Sequence, residues 1–306
     1  MAAELLTRLF LSEITEALRA DNSFMAYAKN DDAFVNNNSV ELPHAGTDPT
    51  IVIDRSSFPA STAQRTDVAT QYVLEELSSD PTHLQYSEEL VVAYNKRASI
   101  LEQHIRSLKE KKGDRCAYYW AAQVKTIDST NQIPTTGTGT RASDAPGSTV
   151  ANVKKLTKAD ILKGKNLMDK DNVPMTGRYL LIPPSMLSDI LELDEFTRMD
   201  AYGKSNIPDG WVGLIFGFNV VMRSLVTAYD SSYDIKDTET ATATTDVAGA
   251  IMYHRDSVRR ANGEVKVFLN VERPEYYGSI ISAATRFGAK EARNDGKGIV
   301  TIVETV

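Results

Sequence analysis

Residues 86–112 read YSEELVVAYNKRASILEQHIRSLKEKK and carry the most regular pattern in the chain. Apolar residues recur in steps of three and four, which is the spacing of one face of an α-helix. Acidic residues crowd the first turn and lysines precede Gly113, which is the polarity that a helix dipole and a glycine C-cap favour. The stretch predicts a helix of roughly 40 Å at 1.5 Å per residue. Its expected core seam is Val91, Tyr94, Leu101, Ile105 and Leu108.

Two kinds of segment precede this helix. Residues 4–20 have apolar side chains at helical spacing, and residues 21–39 are rich in Asn and Asp, which predicts an extended arm after an amphipathic helix. Residues 50–53 and 68–74 are strand-like and are separated by a stretch rich in Ser, Pro and Thr. The long connection predicts a projecting hairpin. By pattern alone, an ordinary surface hairpin is the favoured interpretation.

The second half of the chain mixes helices and strands without a regular βαβ alternation, so the predicted class is α+β. Residues 128–153 are poor in large apolar side chains and are interpreted as a linker. The next predicted elements are a helix capped by Thr157, a strand at 179–182, a helix capped by Ser185, and buried strands at 211–221. They are followed by a predicted helix at 247–261 capped by Asp246, a strand at 264–271, and a helix from Pro274 to Phe287 closed by Gly288. Two short strands, joined at 294–296 and ending at 299–303, complete the prediction.

Composition and motifs argue against several functional classes. The net charge is 34 − 41 = −7, which disfavours tight binding to nucleic acid. No apolar run approaches the roughly 20 residues of a membrane span, so we expect no membrane contact. The single cysteine, Cys116, is interpreted as a core residue, and the four histidines lack zinc-ligand spacing. No nucleophile elbow or phosphate loop is present. We therefore expect no enzyme, no cofactor and no metal.

Three stretches connect the chain to a family. They are RYLLIPPS at 178–185, WVGLIFGFNVV at 211–221, and FGAK at 287–290 with Arg293 and the GIV of 298–300. In their order and spacing they resemble segments of the major capsid proteins of tailed bacteriophages, which share the Hong Kong 97 fold. That fold has an N-terminal arm, a projecting hairpin called the E-loop, a long spine helix in a peripheral P-domain, and an axial A-domain.

The resemblance implies a division of nearly the whole chain. The expected parts are 1–45, N-terminal arm and entry strand; 46–85, E-loop; 86–128, P-domain with spine helix; 129–263, A-domain; 264–288, P-domain return segment; and 289–306, C-terminal strands.

The resemblance also implies a function: a structural major capsid protein that self-assembles into an icosahedral shell around packaged double-stranded DNA. It implies hexamers and pentamers of the chain, non-specific contact with DNA, a scaffolding protein, a portal, a possible decoration protein, and a place in the virion capsid after assembly in the host bacterial cytoplasm. Because only a short arm precedes the E-loop, we expect a separate scaffolding protein and no cleavage of the coat. The candidate interface residues are Leu5, Leu9, Phe10 and Ile14 on the arm and Ile51, Ile53, Tyr72 and Val73 on the E-loop.

Three alternatives stay open at this stage. An encapsulin-type compartment shares the fold and would load enzyme cargo. An α+β enzyme has only the Thr/Gly loop at 136–141 to support it. For the arm, packing within its own chain is about as consistent with the pattern as packing on a neighbour.

The first prediction concerns covalent cross-links between subunits. The family prototype joins its subunits through a lysine on the E-loop, but no lysine occurs between Lys29 and Lys96 in this chain. We therefore expect a single monomer band when mature particles are run on a denaturing gel. A covalent ladder of oligomers would contradict this prediction.

Overall fold

The computed structural model describes residues 23–36, 38–46, 49–56, 58–60, 62, 64–85, 96–121, 131–193, 211–240, 242–293 and 295–306. The α-helices in these ranges are α1 (Lys96–Ala121), α2 (Lys158–Lys170) and α3 (Pro184–Leu191). The strands are β1 (Lys29–Asn30), β2 (Ser39–His44), β3 (Val68–Val73), β4 (Glu75–Ser78), β5 (Thr82–Gln85), β6 (Gln132–Pro134), β7 (Thr140–Arg141), β8 (Val153–Lys154), β9 (Arg178–Ile182), β10 (Trp211–Ile215), β11 (Phe218–Met222), β12 (Thr227–Tyr229), β13 (Val247–His254), β14 (Val258–Arg273), β15 (Gly278–Glu291) and β16 (Ile299–Val303).

The first sheet is built around the long antiparallel pair β14 and β15. Its strand order is β1-β14-β15-β4, and β5 also pairs with β15. Helix α1 packs against β15 and buries Leu101, Ile105 and Leu108. Leu101 and Ile105 share a cluster with Leu84, Val267 and Ile281 from the sheet. One face of this sheet is therefore closed by the helix.

The second sheet has seven strands in the order β10-β11-β9-β13-β16-β6, with β12 paired to β13. Helix α2 packs on β16 and β6. Thr157 caps this helix, as predicted. The structure adds that the cap is a capping box, in which the Thr157 hydroxyl accepts from the Asp160 backbone and the Asp160 carboxylate accepts from the Thr157 backbone. Helix α3 begins at Pro184, one residue before the predicted cap, because proline is preorganised for a first turn.

A central core joins the two sheets. Trp120 at the end of α1 is fully buried and contacts Tyr253 of the second sheet, with ring centroids 5.0 Å apart. The same cluster contains Cys116 and Phe287. Cys116 is fully buried, as the sequence indicated, and this burial raises the pKa of its thiol.

The spine helix extends further than predicted. The sequence placed its end at Gly113, but α1 continues to Ala121. A glycine inside a helix costs roughly 1 kcal/mol relative to alanine, and burial of the following turn with Trp120 outweighs that cost. Residues 86–95, including Val91 and Tyr94 of the predicted seam, lie outside the described residues.

Two predicted helices are wrong. Residues 247–261 form β13, a short 3-10 turn at Arg255–Ser257 and the start of β14, and residues 278–291 form β15. Every residue of β13 is buried, and β15 is buried along most of its length. Strands that are covered on both faces lose the polar–apolar alternation of a half-buried strand. Their dense apolar residues therefore matched a helical spacing by chance.

Three smaller expectations also need correction. The hairpin strand predicted at 50–53 is absent, since β3 pairs instead with β2. The described part of the expected linker, from residue 131, contains β6 and β7, and Ile133 within it is buried. The final strand β16 pairs with β13 and β6 rather than with the strand before it. In the pairing of β6 with β16 the two strands are more than 160 residues apart in the sequence, as in Thr301↔Gln132, so no local pattern indicates it.

Two of the expected domain boundaries fall inside strands. The limits after residues 263 and 288 cut β14 and β15, which pair continuously from Val258↔Glu291 to Arg273↔Gly278 apart from two bulges. A division that follows the sheets keeps β14 and β15 with α1. None of the described helices is long and apolar enough to span a membrane.

The second prediction concerns Glu291, at the end of β15. Its side chain is 2% exposed, and neither carboxylate oxygen has a hydrogen-bond partner. Burial raises its pKa from the ordinary 4.5 to about 7. Because the folded chain then binds this proton more tightly than the unfolded chain, stability is lost as the pH rises from about 4.5 to about 7.

The replacement Glu291→Gln removes this titration. At pH ~8 the variant should be more stable than the wild type by about 2 kcal/mol, and the difference should shrink towards pH ~4. Urea unfolding at the two pH values measures it. The exposed Glu264→Gln serves as the control. A difference that is the same at both pH values would contradict the prediction.

Candidate assembly surface

The most prominent surface feature is the hairpin of β2 and β3. The two strands pair only with each other, from Ser39↔Val73 to His44↔Val68, and residues 45–67 lie beyond the last pair. Side chains alternate between the two faces of the hairpin. Val40, Leu42 and Tyr72 point inward and pack with Leu74 and Ala261. The hairpin is therefore fixed at its base by the face that packs on the body.

A buried charge anchors the base. Asp31 is fully buried, and its Oδ2 accepts a hydrogen bond from the Tyr72 hydroxyl at 3.1 Å. Its Oδ1 forms an ion pair with Arg259 of β14 at 2.9 Å. Burial and the negative charge of Asp31 raise the pKa of Tyr72, so its hydroxyl stays a proton donor. The hairpin is thus tied to the first sheet by a paired, hydrogen-bonded carboxylate.

A second ionic group holds the chain just after the hairpin. Arg115 of α1 binds both oxygens of Glu75 in β4, at 2.9 and 2.7 Å, in the bidentate arrangement typical of strong arginine pairs. It also reaches Asp237 Oδ1 at 2.5 Å. Tyr119 donates a short hydrogen bond to Glu75 as well. The spine helix therefore holds the strand that directly follows the hairpin.

The outer part of the hairpin exposes large apolar side chains. Ile51 is 88% exposed, Ile53 85% and Phe58 79%. At the neck of this loop the Gly46 backbone N–H donates to Asp67 Oδ1 at 2.9 Å, and Arg65 pairs with the same carboxylate. A cluster of exposed apolar side chains on a supported loop is typical of a surface that contacts another protein.

The structure separates the candidate residues that the sequence grouped together. Ile51, Ile53 and Val73 are exposed, whereas Tyr72 is 6% exposed and belongs to the anchor. Tyr72 therefore leaves the set of candidate interface residues, because its side chain is already bound within its own chain. The arm residues Leu5, Leu9, Phe10 and Ile14 lie outside the described residues.

Sequence reasoning missed the groups that support the hairpin. Asp31 lies in a polar stretch with no local motif, and its partner Arg259 is 228 positions away. Phe58 was passed over because it stands in a Ser- and Pro-rich segment. Phe58 is the only aromatic residue between residues 49 and 67, and this isolated position was the signal that could have identified it as part of an apolar loop.

The opposite end of the β14–β15 pair presents a second apolar surface. Tyr277 is 79% exposed with a φ of 47°, and Tyr276 is 56% exposed. Tyr276 lies against His83 of β5, with ring centroids 6.0 Å apart. The described part of the molecule therefore carries exposed apolar or aromatic groups both on the loop of the hairpin and at the turn between β14 and β15.

The described residues form cavities next to α1. Two neighbouring cavities of about 400 and 450 Å³ share Lys111 and Glu239, which form an ion pair at 3.4 Å. Among the residues with described positions, no group of three or more His, Cys, Asp or Glu could hold a metal ion. The Thr/Gly loop is used structurally, since Gly137 donates to the Lys155 carbonyl and Arg141 pairs with the buried Asp189 and Glu304.

Comparison with known proteins adds an independent observation. A family model described as phage capsid protein matches residues 117–305. No curated protein sequence matches the chain significantly.

Solved capsid structures align with nearly all of the chain. The capsid of cyanophage P-SCSP1u has a TM-score of 0.64 at 16% identity, over 90% of this chain and 86% of that one. The capsid of Ralstonia phage GP4 has a TM-score of 0.62 at 12% identity, over 90% and 86%. A chain of Mycobacterium phage Che8 has a TM-score of 0.58 at 15% identity, over 94% and 90%. Likeness at these identities concerns the fold, and it confirms the α+β capsid fold expected from the sequence.

Proposed function

The chain belongs to the phage capsid protein family and is a structural major capsid protein, and from this premise we propose that its copies form the icosahedral shell around the packaged double-stranded DNA of a tailed phage. The observation that carries the proposal is the anchored hairpin with Ile51, Ile53 and Phe58 exposed beyond its last strand pair. Such side chains gain stability when a neighbouring subunit covers them, at about 1.5–3 kcal/mol for each one fully buried.

The lattice contacts follow from this geometry. We assign Ile51, Ile53 and Val73 to the contact with an adjacent copy, and we add Phe58. Leu5, Leu9, Phe10 and Ile14 remain the proposed contacts of the arm. In hexamers and pentamers every copy repeats the same contacts, so interactions that are weak singly become strong together.

The charge of the chain suits the inside of a DNA container. A net charge of −7 limits counterion-releasing adhesion of packaged DNA to the wall, so DNA contact is non-specific and weak. The protein acts without catalysis, in the virion capsid, after assembly in the host bacterial cytoplasm. Its proposed partners are a separate scaffolding protein, a portal and a decoration protein. The encapsulin alternative is not favoured, because the matching family is that of phage capsids.

The third prediction tests this function. The chain is expressed alone and together with the products of its neighbouring genes, and the particles are measured by negative-stain electron microscopy and light scattering. We expect monomers, tubes or irregular shells from the chain alone and uniform closed shells with the scaffolding protein. Uniform shells from the chain alone with a co-purifying enzyme would favour an encapsulin, and a small oligomer under every condition would contradict a shell protein.

A further inference from the structure

Helix α2 and the residues just before it concentrate positive charge in a negatively charged chain. Residues 154–170 contain six lysines and two acidic residues, a local charge of 6 − 2 = +4, whereas the whole chain has a net charge of −7. Both acidic residues are already engaged: Asp160 belongs to the capping box of α2, and Asp169 pairs with Arg178 at 2.7 Å. The lysine charge of this segment is therefore largely uncompensated by its own acidic residues.

The four lysines of the helix itself form two rows along its solvent-accessible side. Lys163 and Lys170 are seven residues apart, which is two turns and about 10 Å, so they lie one above the other. Lys158 and Lys165 form a second row with the same spacing. Lys163 and Lys170 are exposed, and Lys158 and Lys165 are half-buried. These four residues are called the lysine face below.

Three of these lysines have no ionic partner in the described part of the chain. Lys163, Lys165 and Lys170 form neither an ion pair nor a side-chain hydrogen bond with any residue whose position is described. Lys155, just before the helix, differs from them, because its Nζ pairs with Glu192 at 2.9 Å. The lysine face is therefore available to an external anion.

The lysine face lies on the side of the second sheet that is turned away from the spine helix. Leu180 and Ile182 of β9 pack in a cluster with Ile161 of α2, whereas Leu181 packs in the central core with Trp120. Successive side chains of a strand point to opposite faces of its sheet. Helix α2 and the central core therefore cover opposite faces, and the exposed lysines project from an outer layer of the fold.

The composition of this surface fits phosphate better than protein. Every large apolar side chain of α2 is buried or half-buried, and the exposed positions carry only lysine, alanine and asparagine. Protein interfaces are depleted in lysine and are held by apolar and aromatic anchors, which are missing from this surface. Lysines on flexible stems bind phosphates as point charges, without reading the base sequence.

We propose that the lysine face of α2 contacts the phosphates of packaged double-stranded DNA at the inner wall of the shell. This inference rests on the proposed function and goes beyond it, because it assigns the DNA contact to one surface of the chain. The rest of the chain carries −7 − 4 = −11, so it repels DNA and leaves the contact to these lysines. Every copy in a shell repeats the contact, so weak single contacts order the adjacent DNA without tight adhesion.

Binding of a short DNA duplex to the full chain is measured by fluorescence anisotropy at salt concentrations from ~20 to ~150 mM. We expect binding at low salt that weakens steeply as salt rises, because each phosphate contact releases counterions. In the variant with Lys163→Gln, Lys165→Gln and Lys170→Gln, the affinity at the lowest salt should fall at least about tenfold. The slope of log affinity against log salt should become shallower by about 2–3.

The matched control removes three exposed lysines that lie away from α2. The changes Lys29→Gln, Lys111→Gln and Lys266→Gln alter the net charge equally, in β1, α1 and β14. They should change the salt slope by less than about 1. Equal slopes in the two triple variants would overturn the proposal, and so would a wild-type chain that binds no duplex at the lowest salt.

Assembly of the same variants separates this inference from the proposed function. With the scaffolding protein, the α2 triple variant should form closed shells as the wild type does. A variant that binds DNA like the wild type but forms no shells would show that the lysine face docks a protein, and would overturn the DNA contact. A wild type that forms no shells would overturn the shell and with it the packaged DNA, while the anisotropy series would still show whether these lysines bind phosphate.

Discussion

A variant in which Asn-Gly replaces residues 45–67 is expected to fold normally and to form no closed shells. His44 and Val68 are directly paired, so a two-residue turn of the kind that Asn-Gly favours can join them without changing the register. The hydrogen bonds among Gly46, Arg65 and Asp67 lie within the deleted loop, whereas Tyr72 and its anchor Asp31 stay in place. The free energy of unfolding should therefore change by less than about 1 kcal/mol.

Assembly should be lost because the variant lacks the apolar side chains that a neighbour would cover. Ile51, Ile53 and Phe58 together would contribute several kcal/mol to each contact, at about 1.5–3 kcal/mol apiece. Thermal unfolding measures the fold, and electron microscopy with the scaffolding protein measures assembly. Ile51→Ser with Ile53→Ser is the milder companion variant and should assemble only at higher concentration. Normal shells from the shortened hairpin would refute its proposed role in the lattice.

The variant Ile105→Asp is expected to prevent folding. Ile105 is buried between α1 and the first sheet, in a cluster with Leu84, Val267 and Ile281. A carboxylate there loses its hydration, and the cluster around it is apolar. We expect a loss of at least about 4–5 kcal/mol, which is most of the stability of an ordinary domain.

Two matched variants on the same helix serve as controls. Gln103→Asp adds the same charge on the exposed face and should change stability by less than about 0.5 kcal/mol. Ile105→Val removes one methylene and should cost about 0.5–1.5 kcal/mol. Solubility, circular dichroism and urea unfolding distinguish the three. A soluble Ile105→Asp protein with a cooperative transition near that of the wild type would show that this seam is not part of the core.

Local patterns were sufficient where one face of an element meets solvent. The helix capped by Thr157 and the strand pair at 211–221 were predicted from residues within a few positions of each other, and both are present. Their signals are short-range: a side chain that caps its own helix, and apolar runs interrupted by glycine. The same holds for Cys116, whose apolar surroundings at 117–120 indicated a core position.

Local patterns failed where both faces of a strand are covered. Every residue of β13 and most residues of β15 are buried, so no clear alternation remained to distinguish a strand from a helix. The error at Gly113 has a related cause. By local rules, a glycine after a lysine cluster is a normal helix end. Here the burial of Trp120 stabilises the turns that follow Gly113, so α1 continues past it.

By itself the sequence determined the α+β class and the resemblance to a capsid family, because composition and short motifs are properties of the chain alone. Only the tertiary structure decided that Tyr72 anchors the hairpin while Ile51 and Ile53 remain exposed. It alone brought Arg115 of α1 together with Glu75 and Asp237. The physical reason is that burial and ion pairing depend on contacts between residues far apart in the sequence, such as Asp31 and Arg259 at a separation of 228 positions, which no local periodicity encodes.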